Sequence, residues 1–366
     1  MTAEWDVVVV GGRAAGASTA MLLARAGMRV LCVERTRLGS DTLSTHALMR
    51  AGTLQLKKWG LLGSVIDAGT PAVRRTLFHY GAESVPVSIR PAVGVDALYA
   101  PRRTLIDRLL VEAATAAGAT FRFGCSVAGL NRHRSGRVTG VIIRDRDGSV
   151  RAERAGLVIG ADGRHSFVAE AVDAASRFNG RVASAFVYGY FQHLPAEGYE
   201  WFYGPGASAG VIPTNDGLSC VFVGAPPARL ARLVDDGGPR NAVRTVAGEC
   251  ALGDRLLEAT GLGHLRYMRG LPGYLRRPWG AGWALVGDAG YWKDPMSTHG
   301  MTDAFRDAEL LTRAVLAAPG PGPAQLEALA EYESVQMRWR FPCSMSPNGW
   351  RPTTGRSPRS AGSSCG

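Results

Sequence analysis

Residues 6–18 read DVVVVGGRAAGAS, and no other stretch constrains the fold as strongly. Trp5 to Val10 is a short apolar run that breaks at Gly11-Gly12, the pattern of a strand buried on both faces of a parallel sheet. Helical periodicity follows from Ala14 to Ala26 and Gly27 ends it. A second apolar run, Arg29 to Val33, then closes on Glu34. A β-α-β unit of this length, with glycines in its first turn and an acid ending its second strand, is a dinucleotide-binding fingerprint. Gly11 is expected to make the tight turn and Gly16 to let helix and strand approach closely. The backbone at Gly12, Arg13, Ala14 and Ala15 then meets a pyrophosphate at the helix start. Glu34 is placed to accept from ribose hydroxyls, which favours FAD or NAD over NADP, and the adjacent Arg35 belongs to the same site. Arg13 stands where a glycine is usual. Directed outward, its side chain leaves the backbone approach open and adds positive charge near the phosphates.

Two later stretches decide between the cofactors. GLVIGADGRHS (Gly156 to Ser166) is an apolar strand breaking into Ala161-Asp162-Gly163. WALVGDAGYWKDPMSTHGMTDAFRDAELL (Trp283 to Leu311) is a strand, Gly287-Asp288, a proline-containing loop and an amphipathic helix. Together with the first motif, and in this order, they resemble the flavoprotein superfamily that contains p-hydroxybenzoate hydroxylase and the geranylgeranyl reductases. The resemblance covers roughly residues 5–335.

That resemblance implies an α/β fold: a Rossmann-like FAD-binding domain of the p-hydroxybenzoate hydroxylase type with an inserted antiparallel-sheet substrate domain. The cofactor domain is expected to draw on residues 1–70, 101–170 and 270–335, and the substrate domain on 71–100 and 171–269. FAD is the implied cofactor, with NADH or NADPH as transient reductant. In the family the aspartate of the late motif, here Asp288 beside Gly287, binds the ribityl chain, and the loop from Asp294 to Gly300 lies along the flavin ring. Pro295 would fix that loop's φ, and helix dipoles at Gly300 and Met301 would favour reduced flavin. Asp162 and Gly163 are expected near the pyrophosphate. The family continues this motif as Ser-x-x-Arg, but Ser166 is followed three residues later by Ala169, which puts its mode of NAD(P)H docking in doubt. Arg50, in DTLSTHALMRAG, and Arg103 or Arg102, in PRRTLIDRLL, match arginines that relatives place by the FAD. No catalytic side chain is assigned, because the flavin carries the chemistry.

Alternating strands over 73–89 and 182–223 read as a sheet with one covered face. His46, Trp201, Tyr203, Phe222 and His299 are expected to line a substrate pocket, with Phe202 a further aromatic candidate. No metal site is expected, and the six cysteines contain no CxxC pair, as for free thiols in a reducing cytoplasm. The net charge of +11 is uneven, since residues 337–366 hold five arginines and no acid. No basic run is interleaved with aromatics, so nucleic acid is not an expected partner. No stretch reaches the length of a membrane span, nor does the start resemble a signal peptide. The expected location is therefore cytoplasmic, as a monomer or homodimer with a small-molecule substrate.

Residues 336–366 lose all periodicity, and GC-rich codons would permit an amphipathic continuation one base out of frame. A frameshift in the gene or its reported sequence is one reading and a genuine irregular tail is the other, and sequencing the coding DNA decides between them. The function expected is an NAD(P)H-using FAD oxidoreductase of bacterial secondary metabolism, including antibiotic biosynthesis. It would be a hydroxylase (monooxygenase) or reductase tailoring a small apolar, polyketide-like or aromatic metabolite. The alternatives are an ene-reductase of geranylgeranyl-reductase type and a non-catalytic flavin-binding protein.

Overall fold

In the computed structural model, which describes residues 4–181 and 183–340, β1 (Trp5–Val10) lies between β2 (Val30–Glu34) and the strand Val150–Gly160. It runs parallel to both, with Val9 opposite Cys32 on one side and Ile159 on the other. Parallel strands Thr120–Phe123 and Trp283–Leu285 extend the sheet on either side, and Trp279–Gly280 pairs antiparallel outside the latter. Because side chains alternate along a strand, Val7 and Val9 enter one core and Val8 and Val10 another. The first core holds Met21 of α1 (Ala14–Arg25), Ile106 of the helix Arg103–Ala116 and Phe305 of the helix Gly300–Ala317. The second packs on Val141 and Ile143 of the antiparallel strand Val138–Arg144. Both faces of β1 are covered, which is why its sequence shows no polar alternation. Fully burying each valine contributes about 1.5 kcal/mol or more.

A second sheet of seven strands forms the other half, and all its pairings are antiparallel except Tyr199–Gly204 beside Arg75–Tyr80. Its residues alternate between two surroundings. Ala185, Val187, Val221, Val223 and Phe202 pack beneath the helix Pro227–Glu249, which breaks at Gly237-Gly238. Phe186, Tyr188, Tyr190, Trp201 and Phe222 fall on the opposite face and share a core with Ala47 and Leu98 of the first half. Phe202 therefore lies under the helix, turned away from the face carrying its neighbour Trp201.

A small third sheet joins Ser176–Asn179, Tyr274–Arg276 and Tyr291–Trp292, and brings Trp292 and Arg276 to the junction of the halves. The C-terminal helix Pro323–Arg340 runs past position 336. Residues 341–366, with the frameshift expectation attached to them, lie outside the described residues. Cys32, Cys125, Cys220 and Cys250 are free and buried. No described helix is long and apolar enough to cross a membrane.

Candidate active site

The turn after β1 is sterically specified. Gly11 has φ +102°, and a Cβ there would sit 2.5 Å from the Ala161 carbonyl oxygen. A Cβ on Gly16 would lie 1.8 Å from the Gly11 carbonyl oxygen, so α1 approaches the turn as closely as backbone permits. The N–H of Gly12 donates to Glu34 Oε2 (2.7 Å), while Oε1 accepts from the Thr36 N–H (2.8 Å) and hydroxyl (2.6 Å). Glu34 Oε2 thus retains acceptor capacity. The N–H groups that open α1 have no intrahelical partner and face a cavity of about 500 Å³.

Arg13 is folded over the turn rather than extended into solvent. Nη1 donates to the Ser40 carbonyl (2.6 Å) and Asp107 Oδ2 (3.2 Å), and Nη2 to Ser40 Oγ (2.8 Å) and Thr36 Oγ1 (3.1 Å). Arg103, buried at the start of its helix, binds both oxygens of Asp107 (3.0 Å each). Asp107 therefore joins the two arginines, and Arg13 ties the 36–40 loop to them. Arg13→Gly is expected to keep FAD bound with an affinity loss of no more than about tenfold. Amide hydrogen exchange over 36–45 should rise in the same variant. Complete loss of flavin would show that the guanidinium is itself indispensable to the cofactor.

Asp162 and Asp288 differ in what they have to bond. Asp162 Oδ1 accepts from Ser166 Oγ (2.5 Å) and Oδ2 from the Val168 N–H (3.1 Å), so it braces the helix Phe167–Ala171. Burial raises its carboxyl above the usual range. The Asp288 carboxylate lines the cavity, and no protein group among the described residues bonds it. Burial pushes it up to about 6, with Arg164 and Arg103 partly compensating. Gly287 (φ +62°) lets this turn rest on α1, since a Cβ would be 2.8 Å from that of Ala15.

The same cavity is lined by Gly11, Arg13, Ala14, Ala15, Glu34, Arg35, Arg103, Asp162, Gly163, Gly287 and Asp288. Pro295, Gly300, Met301, His46 and Phe222 also line it. Gly12 and Gly16 shape the turn from behind. Arg50 opens the helix Arg50–Lys58 away from the cavity, and Arg102 lies 3.8 Å over the Tyr190 ring. Trp201 packs against Tyr199 and Phe222, Tyr203 stacks on Tyr80, and exposed His299 bonds the Ser297 carbonyl; none of the three lines the cavity.

The wall opposite the turn is apolar, formed by Phe186, Tyr188, Phe222, Met268 and Trp292. Tyr188 accepts from the Ser44 N–H (2.9 Å) and donates to the Thr42 carbonyl (3.0 Å), which anchors the 42–46 loop to the second sheet. His46 Nε2 lies 3.1 Å from the Tyr190 hydroxyl. Burial, with Arg102 and Arg103 nearby, pushes His46 down to about 3, so its ring is neutral at pH 7. Phe186, Tyr188, Met268, Trp292, Arg164 and Lys293 were not anticipated as lining residues. Alternation around Phe222 marks Phe186 and Tyr188, but nothing local in the sequence marks the others.

With the cradle and its free carboxylate established, comparison with known proteins becomes decisive: residues 4–339 match the family model described as FAD binding domain. The chain belongs to that family. It is an FAD-dependent oxidoreductase of the group containing flavin monooxygenases and geranylgeranyl reductases. It is 27% identical over 350 residues to digeranylgeranylglycerophospholipid reductase 2 of Methanothermobacter thermautotrophicus, covering 92% of this chain and 83% of that protein. Kynurenine 3-monooxygenase of Christiangramia forsetii is 27% identical over 207 residues, covering 55% of this chain and 42% of that one. The myxobacterial chondrochloren halogenase CndH superposes with TM-score 0.82 at 24% identity, over 92% of this chain and 80% of that chain, and so shares the fold.

The residues present fit FAD. Glu34 has a remaining acceptor, Arg103 and the first-turn N–H groups supply positive potential, and Asp288 offers an unbonded carboxylate to the same cavity.

Proposed function

We propose that this flavoprotein is an NAD(P)H-dependent hydroxylase acting on a flat aromatic or polyketide-like metabolite in bacterial secondary metabolism. The observation that carries this reading is the continuity of one cavity from the dinucleotide turn to the wall of Phe186, Tyr188, Phe222, Met268 and Trp292. Such a wall suits a planar apolar body. FAD, when bound, would supply hydride and electron-transfer chemistry between a nicotinamide reductant and dioxygen or the substrate.

The protein's part is placement and exclusion of water. Asp288 would hold the ribityl chain and the 294–300 loop would lie along the ring; Asp294 fastens that loop by accepting from the Ser184 N–H (2.6 Å). Tyr188 fastens the 42–46 loop to the second sheet, while neutral His46 would add a polar contact without a charge. A second, polar cavity of about 410 Å³ shares Arg164 and His165 with the first and is flanked by Arg276 and Ala169. In our reading it receives the reductant, with Arg276 supplying the cation that position 169 lacks.

The test is NADH or NADPH oxidation with a panel of polycyclic phenols. A hydroxylase shows substrate-stimulated oxidation with stoichiometric uptake of dioxygen. The second reading, an ene-reductase, draws on the reductase named above as a relative along most of its length. It is selected instead if a two-electron-reduced product accumulates without oxygen.

A further inference from the structure

Within the cavity, most cations are already committed. Arg13 is bonded to Ser40, Thr36 and Asp107, Arg103 is bonded to Asp107, and Arg164 lies across Trp292 and beside Asp288. Lys293 is placed differently. It follows Trp292 in the chain, lines the cavity and keeps 28% of its side chain exposed. Its neighbour Asp294 is tied to Ser184, at the start of the strand Ala185–Gln192, and Met296 Sδ rests 3.5 Å from Ser208 Oγ. Lys293 therefore stands where the loop meets the aromatic sheet, at the substrate end.

The partner of Lys293 is Asp303, in the first turn of the helix Gly300–Ala317, and the two form an ion pair across the loop. Asp303 has a second cation, Arg306 Nη1, at 2.8 Å. If Lys293 turns away, Asp303 keeps Arg306, which it shares with Asp307, so the lysine can exchange partners without leaving this buried carboxylate wholly unpaired. A lysine also suits the exchange, as a compact charge on a flexible stem, where a forked guanidinium would be fixed by its geometry.

We infer that Lys293 is a substrate-anchoring residue that selects an anionic oxygen on the planar substrate: a carboxylate, a phenolate or the enolate of a dicarbonyl. The inference rests on the proposed function, because it takes the aromatic wall as the substrate site. In the resting protein Asp303 occupies the ammonium, and an arriving anionic oxygen takes that place. The flat body then lies along Trp292 and Phe222, so charge sets the orientation of an otherwise featureless ligand.

The test compares two probes of one shape, 1-hydroxy-2-naphthoate and its neutral amide, bound to the FAD-loaded protein and followed by calorimetry. The acid is expected to bind at least about tenfold more tightly than the amide, the scale of a charge-assisted hydrogen bond. Lys293→Met should remove that preference while leaving amide affinity within about twofold. Asp303→Asn should strengthen the acid's binding, a gain that a merely structural ion pair would not give. Equal affinity of the two probes for the wild-type protein, or binding of neither, overturns the inference. So does an acid preference that survives in Lys293→Met. The flavin content of the wild-type protein separates the two claims. Protein that takes up no FAD defeats the proposed function, whereas FAD-loaded protein indifferent to the probes' charge defeats only the role of Lys293.

Discussion

Gly16→Ala is expected to give protein that retains no flavin and melts well below the wild type. The added Cβ would lie 1.8 Å from the Gly11 carbonyl oxygen and 2.9 Å from its carbon. Both are backbone atoms of the turn that meets the cofactor, so no flexible side chain can yield. The helix cannot retreat either, because Ala17, Ala20 and Met21 behind it are fully buried. Overpacking of a relaxed core costs about 1–3 kcal/mol, and this site belongs at or above the upper end. Gly63 is the control. It lies in the short helix Leu62–Asp67 with nothing within 4 Å of a Cβ, and Gly63→Ala should leave stability unchanged or raise it by about 0.5–1 kcal/mol. Thermal melts and flavin-to-protein ratios check both variants. Full flavin occupancy in Gly16→Ala would mean that the turn is not the cofactor cradle.

Asp288→Asn is expected to weaken FAD binding by roughly 10- to 100-fold at pH 8, the worth of a hydrogen bond to a charged group. The effect should depend on pH. Burial raises this carboxyl from 3.8 to about 6, so below pH 6 it is protonated and loses acceptor strength. Wild-type affinity for FAD should fall as pH drops through 6, and that of Asp288→Asn should stay flat. The apo-protein should respond in the opposite sense. A carboxyl with a raised folded pKa lowers stability as pH rises from 3.8 to 6, and the full cost persists above. The asparagine variant should therefore melt higher than the wild type at pH 8, without that gain at pH 4. FAD titrations and melts across this range read both effects.

Much of this was legible in the sequence because the features involved are local. A run of four valines ending in two glycines reads as a strand covered on both faces, and the later Asp-containing motifs follow apolar strands that the sheet places next to it and one strand further on. Alternation in the second sheet likewise separates Phe222 from Val221 and Val223. Alternation alone does not say where along a face the cavity opens. Trp201 and Tyr203 share that face with Phe222 yet pack against Tyr199 and Tyr80, outside the lining. The partners of Arg13 were invisible for a different reason. Asp107 stands 94 residues away on another helix, and only the fold brings them together. Lys293 is not marked by the sequence because it falls between the aspartate and proline of the late motif, where the chain's own pattern gives it no role.

The central claim is that the cavity between the first turn and the aromatic sheet holds FAD. The direct measurement is the absorbance spectrum of the purified protein, followed by identification of the chromophore released on denaturation. Visible flavin bands and FAD stoichiometric with the chain are expected, either as isolated or after reconstitution. A colourless protein that takes up no FAD would contradict that claim.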